Sequence, residues 1–397
     1  MKKITFLLLL FVIFSCNEID DDILHTHIEL QKLYDESELA GLSVAIVDNR
    51  KVLYQNSFGY ADINKNKKYT NQTIQGIASI SKTFIALAVM KAVEQGKLDL
   101  DTNINTYLPF DVIHPIHPKK PITVRHLATH TSGITDGEVY YKSYIFENPS
   151  QIDVSIYPED YRPIIELVKT NIKIDESVFF ENVLSVSGSW YSQDNFTGNA
   201  PGEKYEYSNI AAALAAFVVE NATGISYENY THKYIFDPLH MDATGWSFND
   251  VNMQNHAILY YTKDLEVPRY SLVTKADGGL ITSTSDFNKY LIEMMRGYKG
   301  KGKLLSAESY KEMFRLQSKH DEIKEAMGGI FWDINDNKTI EHTGGDPGII
   351  TACMFDPIKN RGYYLMTNTS EEFNINIERS IEKIWNTLIN ENLDRSY

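Results

Sequence analysis

The chain has 397 residues, with 38 Lys+Arg against 53 Asp+Glu and a net charge of −15 at neutral pH. Hydrophobic residues at 43% and charged residues at 23% suit a chain with a buried core, and exclude disorder over most of the length. The acidic balance excludes a nucleic-acid binder, whose affinity comes largely from neutralising phosphates. At roughly 100–200 residues per domain, the length fits two structural units or one composite unit.

Lys2 and Lys3, followed by an apolar run over 5–14, read as an export signal. The run is too short to span a bilayer, which takes about 20 apolar residues. Ile13-Phe14-Ser15-Cys16 resembles the lipobox of a bacterial lipoprotein, although Phe14 is bulkier than the residue usual there. The resemblance implies a signal peptide over 1–15 and lipid on the Cys16 thiol. It also implies a chain carried across the inner membrane and anchored to a membrane, periplasmic or at the cell surface. Asn17-Glu18-Ile19-Asp20-Asp21-Asp22 is acidic and reads as a solvated tether, with 16–37 as tether plus N-terminal helix. The other cysteine, Cys353, lies in an apolar run and reads as a small buried hydrophobe.

Leu42-Ser43-Val44-Ala45-Ile46-Val47 and the run from Val52 flank Asp48-Asn49 and predict a hairpin around an Asx turn. Residues 79–95 are apolar on nearly every face and end at Gly96, which predicts a buried helix with a glycine C-cap. The stretch 136–237 reads as helical patches in irregular loops, clearest at Pro163 to Val168 and at Ile210 to Val219. Strands are predicted again at Ile330-Phe331-Trp332, over 349–355 and over 362–367, before an amphipathic helix carrying Ile377, Ile381, Ile384 and Leu388. Strands at both ends with helices between them predict an α/β (α+β) domain. It is assembled from 38–135 and 238–397 and interrupted by a mostly helical insertion over 136–237.

Ser79-Ile80-Ser81-Lys82 opens the buried helix, and a spacing of three places Ser79 and Lys82 on one helical face. A serine hydroxyl needs an adjacent base to become a nucleophile, and burial in an apolar helix favours the uncharged amine that can serve. The helix start also offers N–H groups and partial positive charge to a developing oxyanion. The same spacing at Ser380-Ile381-Glu382-Lys383 lies on a charged helix face, where a solvated lysine is the simpler reading. Tyr207-Ser208-Asn209 precedes a small-residue helix, and His342-Thr343-Gly344-Gly345 precedes a strand. Taken singly, these read as a helix cap and a turn.

In this order the three motifs resemble S-x-x-K, Y-x-N and K/H-T-G of the serine β-lactamase and penicillin-binding-protein superfamily, in its class C and D,D-peptidase or esterase-like branch. Landmarks at Thr129-His130-Thr131-Ser132-Gly133, Asp277-Gly278-Gly279-Leu280 and Gly328-Gly329-Ile330-Phe331-Trp332 extend the resemblance over most of the chain. It implies an antiparallel sheet flanked by helices, no cofactor, and a two-step acyl transfer. Ser79 is then the nucleophile, Lys82 its base partner and Tyr207 the proton shuttle to the leaving group; Lys82 or Tyr207 can take the first proton. Asn209 orients the substrate, His342, Thr343, Gly344 and Gly345 line the pocket, and the N–H groups of Ser79 and Gly345 form the oxyanion hole. The expected substrates are small molecules or peptides: D-amino-acid peptides, esters or β-lactams. His342 stands where dedicated class C β-lactamases usually carry lysine, and an imidazole holds a carboxylate less firmly at pH 7. A D-Ala-D-Ala carboxypeptidase-like or esterase-like hydrolase is therefore the first reading. A β-lactamase and a catalytically idle peptide-binding lipoprotein are the rivals.

His126 and His130 have zinc-helix spacing, but Leu127 stands where H-E-x-x-H needs glutamate, so both read as structural and no metal is implied. His114 and His117, in a proline-stiffened loop, read as solvent-facing.

Overall fold

The computed structural model describes residues 21–317 and 328–390. Cys16 and the signal segment over 1–15 lie outside the described residues. Helix α1 (Asp21–Asp35) leads into strands β1 (Gly41–Val47), β2 (Val52–Asp62), β3 (Lys67–Lys68) and β4 (Ile74–Gly76). A 3-10 turn over Ala78–Ser81 then runs into α2 (Lys82–Glu94). Next come α3 (Val124–Ala128), β5 (Tyr144–Phe146), α4 (Arg162–Lys169), α5 (Glu176–Leu184), α6 (Asn209–Thr223), α7 (Tyr227–Thr231) and α8 (Asp237–Leu239). They are followed by β6 (Tyr260–Thr262), β7 (Leu265–Glu266), β8 (Tyr270–Leu272), β9 (Ile281–Ser283), α9 (Thr284–Tyr298) and α10 (Ala307–Met313). The last elements of the described residues are β10 (Asp333–Ile334), β11 (Ile340–Asp346), β12 (Ile349–Asp356), β13 (Arg361–Thr367) and α11 (Ile375–Asn390).

Seven of these strands form one antiparallel sheet in the order β10-β11-β12-β13-β1-β2-β3. Its centre joins the two ends of the chain, with Leu42 of β1 opposite Thr367 of β13 and Val44 opposite Leu365. The Asx turn at its hairpin forms as expected, the Asp48 carboxylate accepting the N–H groups of Arg50 and Lys51 at 2.7 Å each. Leu42, Val44 and Ile46 pack with Leu30 of α1 and Ile377, Ile384 and Leu388 of α11. Ala45 and Val47 face the larger core, which holds α2, α6 and α9. With both faces covered, β1 is buried along its whole length, and its sequence is therefore apolar on both faces except at Ser43, whose buried hydroxyl accepts from Ser57 Oγ and Thr284 Oγ1.

Helices α2 and α6 pack against each other in that core. The run of Ala211, Ala212, Ala213, Ala215 and Ala216 in α6 is buried, as expected of a helix without a polar face.

Three local expectations change. The helix expected from Ser79 starts as a 3-10 turn, and regular α-helix begins only at Lys82. Ile330-Phe331-Trp332 is a bend rather than a strand. Its N–H groups turn elsewhere, Ile330 to the Met313 carbonyl and Phe331 to that of Ala128. His114 is buried rather than solvent-facing, with its Nε2 lacking a partner among the described residues. In addition, β5 pairs with β8, tying the middle of the chain to the later strands.

Candidate active site

Ser79 is half-buried on the 3-10 turn, and Lys82, at the first position of α2, is wholly buried. The Lys82 Nζ lies 3.1 Å from Ser79 Oγ, 2.6 Å from Asn209 Oδ1 and 2.6 Å from the Asp277 carbonyl oxygen. Two of those three oxygens can only accept. An uncharged amine therefore spends both N–H bonds on Asn209 and Asp277, which leaves its lone pair for the Ser79 hydroxyl proton. A protonated Lys82 fits the same frame by donating to all three.

The backbone before Ser79 is strained. Ala78 has φ +47, a conformation that costs a residue with a Cβ about 1–3 kcal/mol. Bonds on either side hold it there. The Ile77 N–H donates to the Leu280 carbonyl, the Ile77 carbonyl accepts the Thr351 hydroxyl, and Ser81 Oγ accepts the Leu280 N–H. Asp277-Gly278-Gly279-Leu280 thus wraps the Ala78–Ser81 turn, supplying one acceptor to Lys82 and two ties to its flanks.

Strand β11 runs against the same turn. A Cβ on Gly344 would sit 2.4 Å from Thr351 Oγ1, 2.6 Å from the Ile77 carbonyl and 3.0 Å from the Ser79 nitrogen, so no larger residue fits. Thr343 and Gly345 are exposed, and a Cβ on Gly345 would meet open space. Strand β10 covers β11 only at Ile340 and Glu341; among the described strands, none pairs with that edge from His342 onward. The buried His342 places Nδ1 2.6 Å from the Thr343 carbonyl, which only accepts, so the ring proton sits on Nδ1. Burial, reinforced by the Lys82 charge, pushes this imidazole down to about 4. It is neutral at pH 7.

Tyr207 is 38% exposed, with its ring centroid 5.0 Å from the Lys82 Nζ. Ser208 caps α6, accepting the Ala211 N–H on Oγ, so this tripeptide is a helix cap as well as a site element. The Asp136 carboxylate accepts four hydrogen bonds at the same helix end, from Ser208 Oγ, the Asn209 N–H, Asn209 Nδ2 and the Ile210 N–H. The bond from Nδ2 fixes the amide so that its oxygen faces Lys82. Both ends of Asn209 are thereby engaged within the protein.

His130 holds Tyr207 in three ways. Its ring stacks on the Tyr207 ring at 4.5 Å, its Nδ1 accepts the Ser208 N–H at 3.2 Å, and its carbonyl accepts the Glu206 N–H at 2.7 Å. It does so from φ +52. His126 instead sits inside α3, its Nδ1 accepting the Thr123 N–H in a capping box, so the two histidines share no helix face.

The structure therefore brings Ser79, Lys82, Tyr207, Asn209, His342 and the 343–345 strand together, while the second S-x-x-K lies apart, Ser380 Oγ donating to the Asn376 carbonyl within α11. Sequence reasoning did not find Asp136, or the parts played by His130 and the Asp277 carbonyl. His130 and Asp277 lie in segments already marked by the resemblance, whereas Asp136 carries no local signal.

Residues 29–382 match the family model Beta-lactamase, and the chain belongs to that family. It is 24% identical over 389 residues to Protein flp of Staphylococcus aureus (strain MRSA252), covering 95% of this chain and 67% of the relative. It is 27% identical over 202 residues to penicillin-binding protein 4* of Bacillus subtilis (strain 168), covering 51% of this chain and 37% of that protein. An octameric penicillin-binding protein homologue from Pyrococcus abyssi superposes with TM-score 0.70 at 24% identity, over 94% of this chain and 78% of the other. A class C β-lactamase superposes with TM-score 0.66 at 20% identity, over 95% and 98%. At these identities the structures show the shared fold.

Proposed function

We propose that the chain is a serine hydrolase that cleaves amide or ester bonds through an acyl-enzyme on Ser79. The observation that carries this is the Lys82 Nζ, 3.1 Å from Ser79 Oγ with its other two contacts on acceptor-only oxygens. Ser79 Oγ attacks the acyl carbon and its proton passes to the Lys82 amine. The carbonyl oxygen takes up negative charge beside the Ser79 and Gly345 N–H groups. Tyr207 gives its proton to the leaving group and regains one from the Lys82 ammonium, which restores both groups, and water then cleaves the acyl-serine ester. Asn209 acts first on Lys82, holding it toward Ser79, and His342 lines the pocket without charge. Substrates are D-amino-acid peptides or small acyl esters. Lipid at Cys16 holding the domain to a bacterial membrane is part of the same reading, and Cys16→Ser should abolish fatty-acid labelling of the chain.

The test is intact mass after treatment with benzylpenicillin and with a fluorophosphonate, alongside hydrolysis of an ester panel, with Ser79→Ala as control. A single adduct and turnover, both lost in the variant, are the expected result. Rapid Ser79-dependent consumption of the antibiotic without an adduct marks a β-lactamase instead, and no adduct with no turnover marks an idle binding module.

A further inference from the structure

The Asp277 carbonyl that meets the Lys82 Nζ at 2.6 Å belongs to a 3-10 turn over Lys275–Asp277. Inside the turn the bonds close on themselves. The Gly278 and Gly279 N–H groups return to the Lys275 carbonyl, and the Thr274 hydroxyl donates to Asp277 Oδ1 at 3.0 Å. Such bonds fix the shape of the turn but not its place, so its distance from Lys82 is set by anchors from other elements. At the front of the turn, Lys275 pairs with Glu176 of α5 and Glu228 of α7 at 3.0 and 2.9 Å. Leu280 is tied to Ile77 and Ser81, but only after two glycines, which transmit little restraint. The third anchor is Tyr140, whose hydroxyl donates to Asp277 Oδ2 at 2.5 Å. Of the three, it is the one that grips the residue carrying the carbonyl.

Tyr140 reaches Asp277 from the 3-10 turn over Glu138–Ser143, 137 residues earlier in the chain. Its ring meets that of Tyr144 edge-on at 5.7 Å, and the Tyr144 hydroxyl is in turn held by Asp346 at the end of β11. Burial, and then the Asp277 charge, raise the Tyr140 phenol well above its ordinary value, so it keeps its proton and donates at neutral pH. We propose that Tyr140 is a positioning residue for acyl transfer, holding Asp277 so that its carbonyl stays on the Lys82 Nζ and the amine stays turned to Ser79. Without that hold an uncharged Lys82 keeps one of its two N–H bonds. It then turns freely and donates to Ser79 Oγ as readily as it accepts from it. The covalent step is unchanged: the Ser79 Oγ proton goes to the Lys82 Nζ and the acyl group to Oγ, but the reactive geometry is reached less often. The inference rests on the acyl-transfer reading, because Tyr140 acts only through the proton acceptor of that reaction.

The test is the rate at which a fluorophosphonate labels Ser79 in the full chain, followed by intact mass well below the melting transition, since this step does not wait on release of an acyl group. Tyr140→Phe, which keeps the ring, and Asp277→Ala should each slow labelling by about tenfold. Joined in one chain they should slow it no further than Asp277→Ala alone, because both cut the same link. Asp277→Asn is the rescue: its amide oxygen accepts from Tyr140 and its Nδ2 donates to Thr274 Oγ1, so labelling should stay within about threefold of wild type. A Tyr140→Phe chain labelled at the wild-type rate, whatever its melting temperature, overturns the proposal and leaves the hydroxyl a part of the fold alone. So does a Tyr140→Phe effect that persists undiminished beside Asp277→Ala, which marks direct contact with the probe. Asp277→Asn as slow as Asp277→Ala also overturns it, because charge rather than the hydrogen bond is then at work. Failure of the wild-type chain to label, with no turnover of any ester, strikes instead at the acyl-transfer reading and takes the proposal with it.

Discussion

His130 meets Tyr207 through ring, ring nitrogen and backbone together, and its left-handed φ makes the choice of substitution decisive. Asparagine tolerates such a backbone better than other residues with a Cβ, so His130→Asn removes the stacked ring while sparing the turn. The expected outcome is a kcat lower by about tenfold or more with a smaller change in KM, because the proton donor is less well placed while the pocket remains. Steady-state kinetics on an activated ester, beside a thermal melt showing a near wild-type transition, check it. Ser79, Lys82, Tyr207, Asn209 and His342 were legible because each stands in a short motif. The hold of His130 on Tyr207 was not, since it joins residues 78 apart in the chain (Ser208 N–H to His130 Nδ1) and depends on a backbone angle that sequence does not display.

Helix α6 brings one site element, Asn209, to Lys82, and Asp136 fixes its start. A carboxylate at a helix N-terminus satisfies otherwise orphaned N–H groups and meets the positive end of the helix dipole. Asp136→Ala should lower unfolding stability by about 2–4 kcal/mol in urea titrations. It should also slow acylation of Ser79 in a time course of adduct mass, because Asn209 then loses the partner that turns its oxygen to Lys82. A pure stability effect would leave that rate unchanged well below the transition temperature. Elements with a strong period or flanking punctuation, such as β1, β2, α6, β12 and α11, could be read from the chain. The bend at Ile330-Phe331-Trp332 could not, because its apolar composition suits a strand while its N–H groups are claimed by Met313 and Ala128, which are distant or out of register. The β5–β8 pair also escaped, being two three-residue strands far apart in sequence.

Across the molecule, buried ionisable groups set opposed pH dependences. The Asp346 carboxyl accepts the Tyr144 hydroxyl at 2.7 Å, and burial raises it to about 7 despite its bonds from Tyr144 and Tyr270. Asp277 is raised to about 6 in the same way. Between the ordinary carboxylate range and these values the folded chain keeps protons that the unfolded chain has lost. Their stabilising contribution is complete below the unfolded values and disappears as pH rises through 6 to 7. His342 runs the other way: lowered to about 4, it costs stability as pH falls from 6.5 toward 4. Asp346→Asn keeps an acceptor for Tyr144 and cannot ionise, so its melting temperature should exceed wild type at pH 8.5 and lose that advantage at pH 4.5. That strands from both ends of the chain share one domain was legible from the placement of apolar runs, and the antiparallel sheet from the resemblance the motifs carry. The tyrosine-lined burial of Asp346 was not, because Tyr144 and Tyr270 reach it from β5 and β8.

The three oxygens around the Lys82 Nζ have one more consequence. Ser79 is local, but Asn209 lies 127 residues away along the chain and the Asp277 carbonyl 195. A partly folded chain with either contact unmade leaves the amine open to water and the serine unactivated. Assembly of the proposed site is thus a late event in folding, set by closure of long loops rather than by formation of helices. During refolding, Ser79 labelling should lag the recovery of secondary structure, so that the nucleophile stays dormant until the molecule is whole.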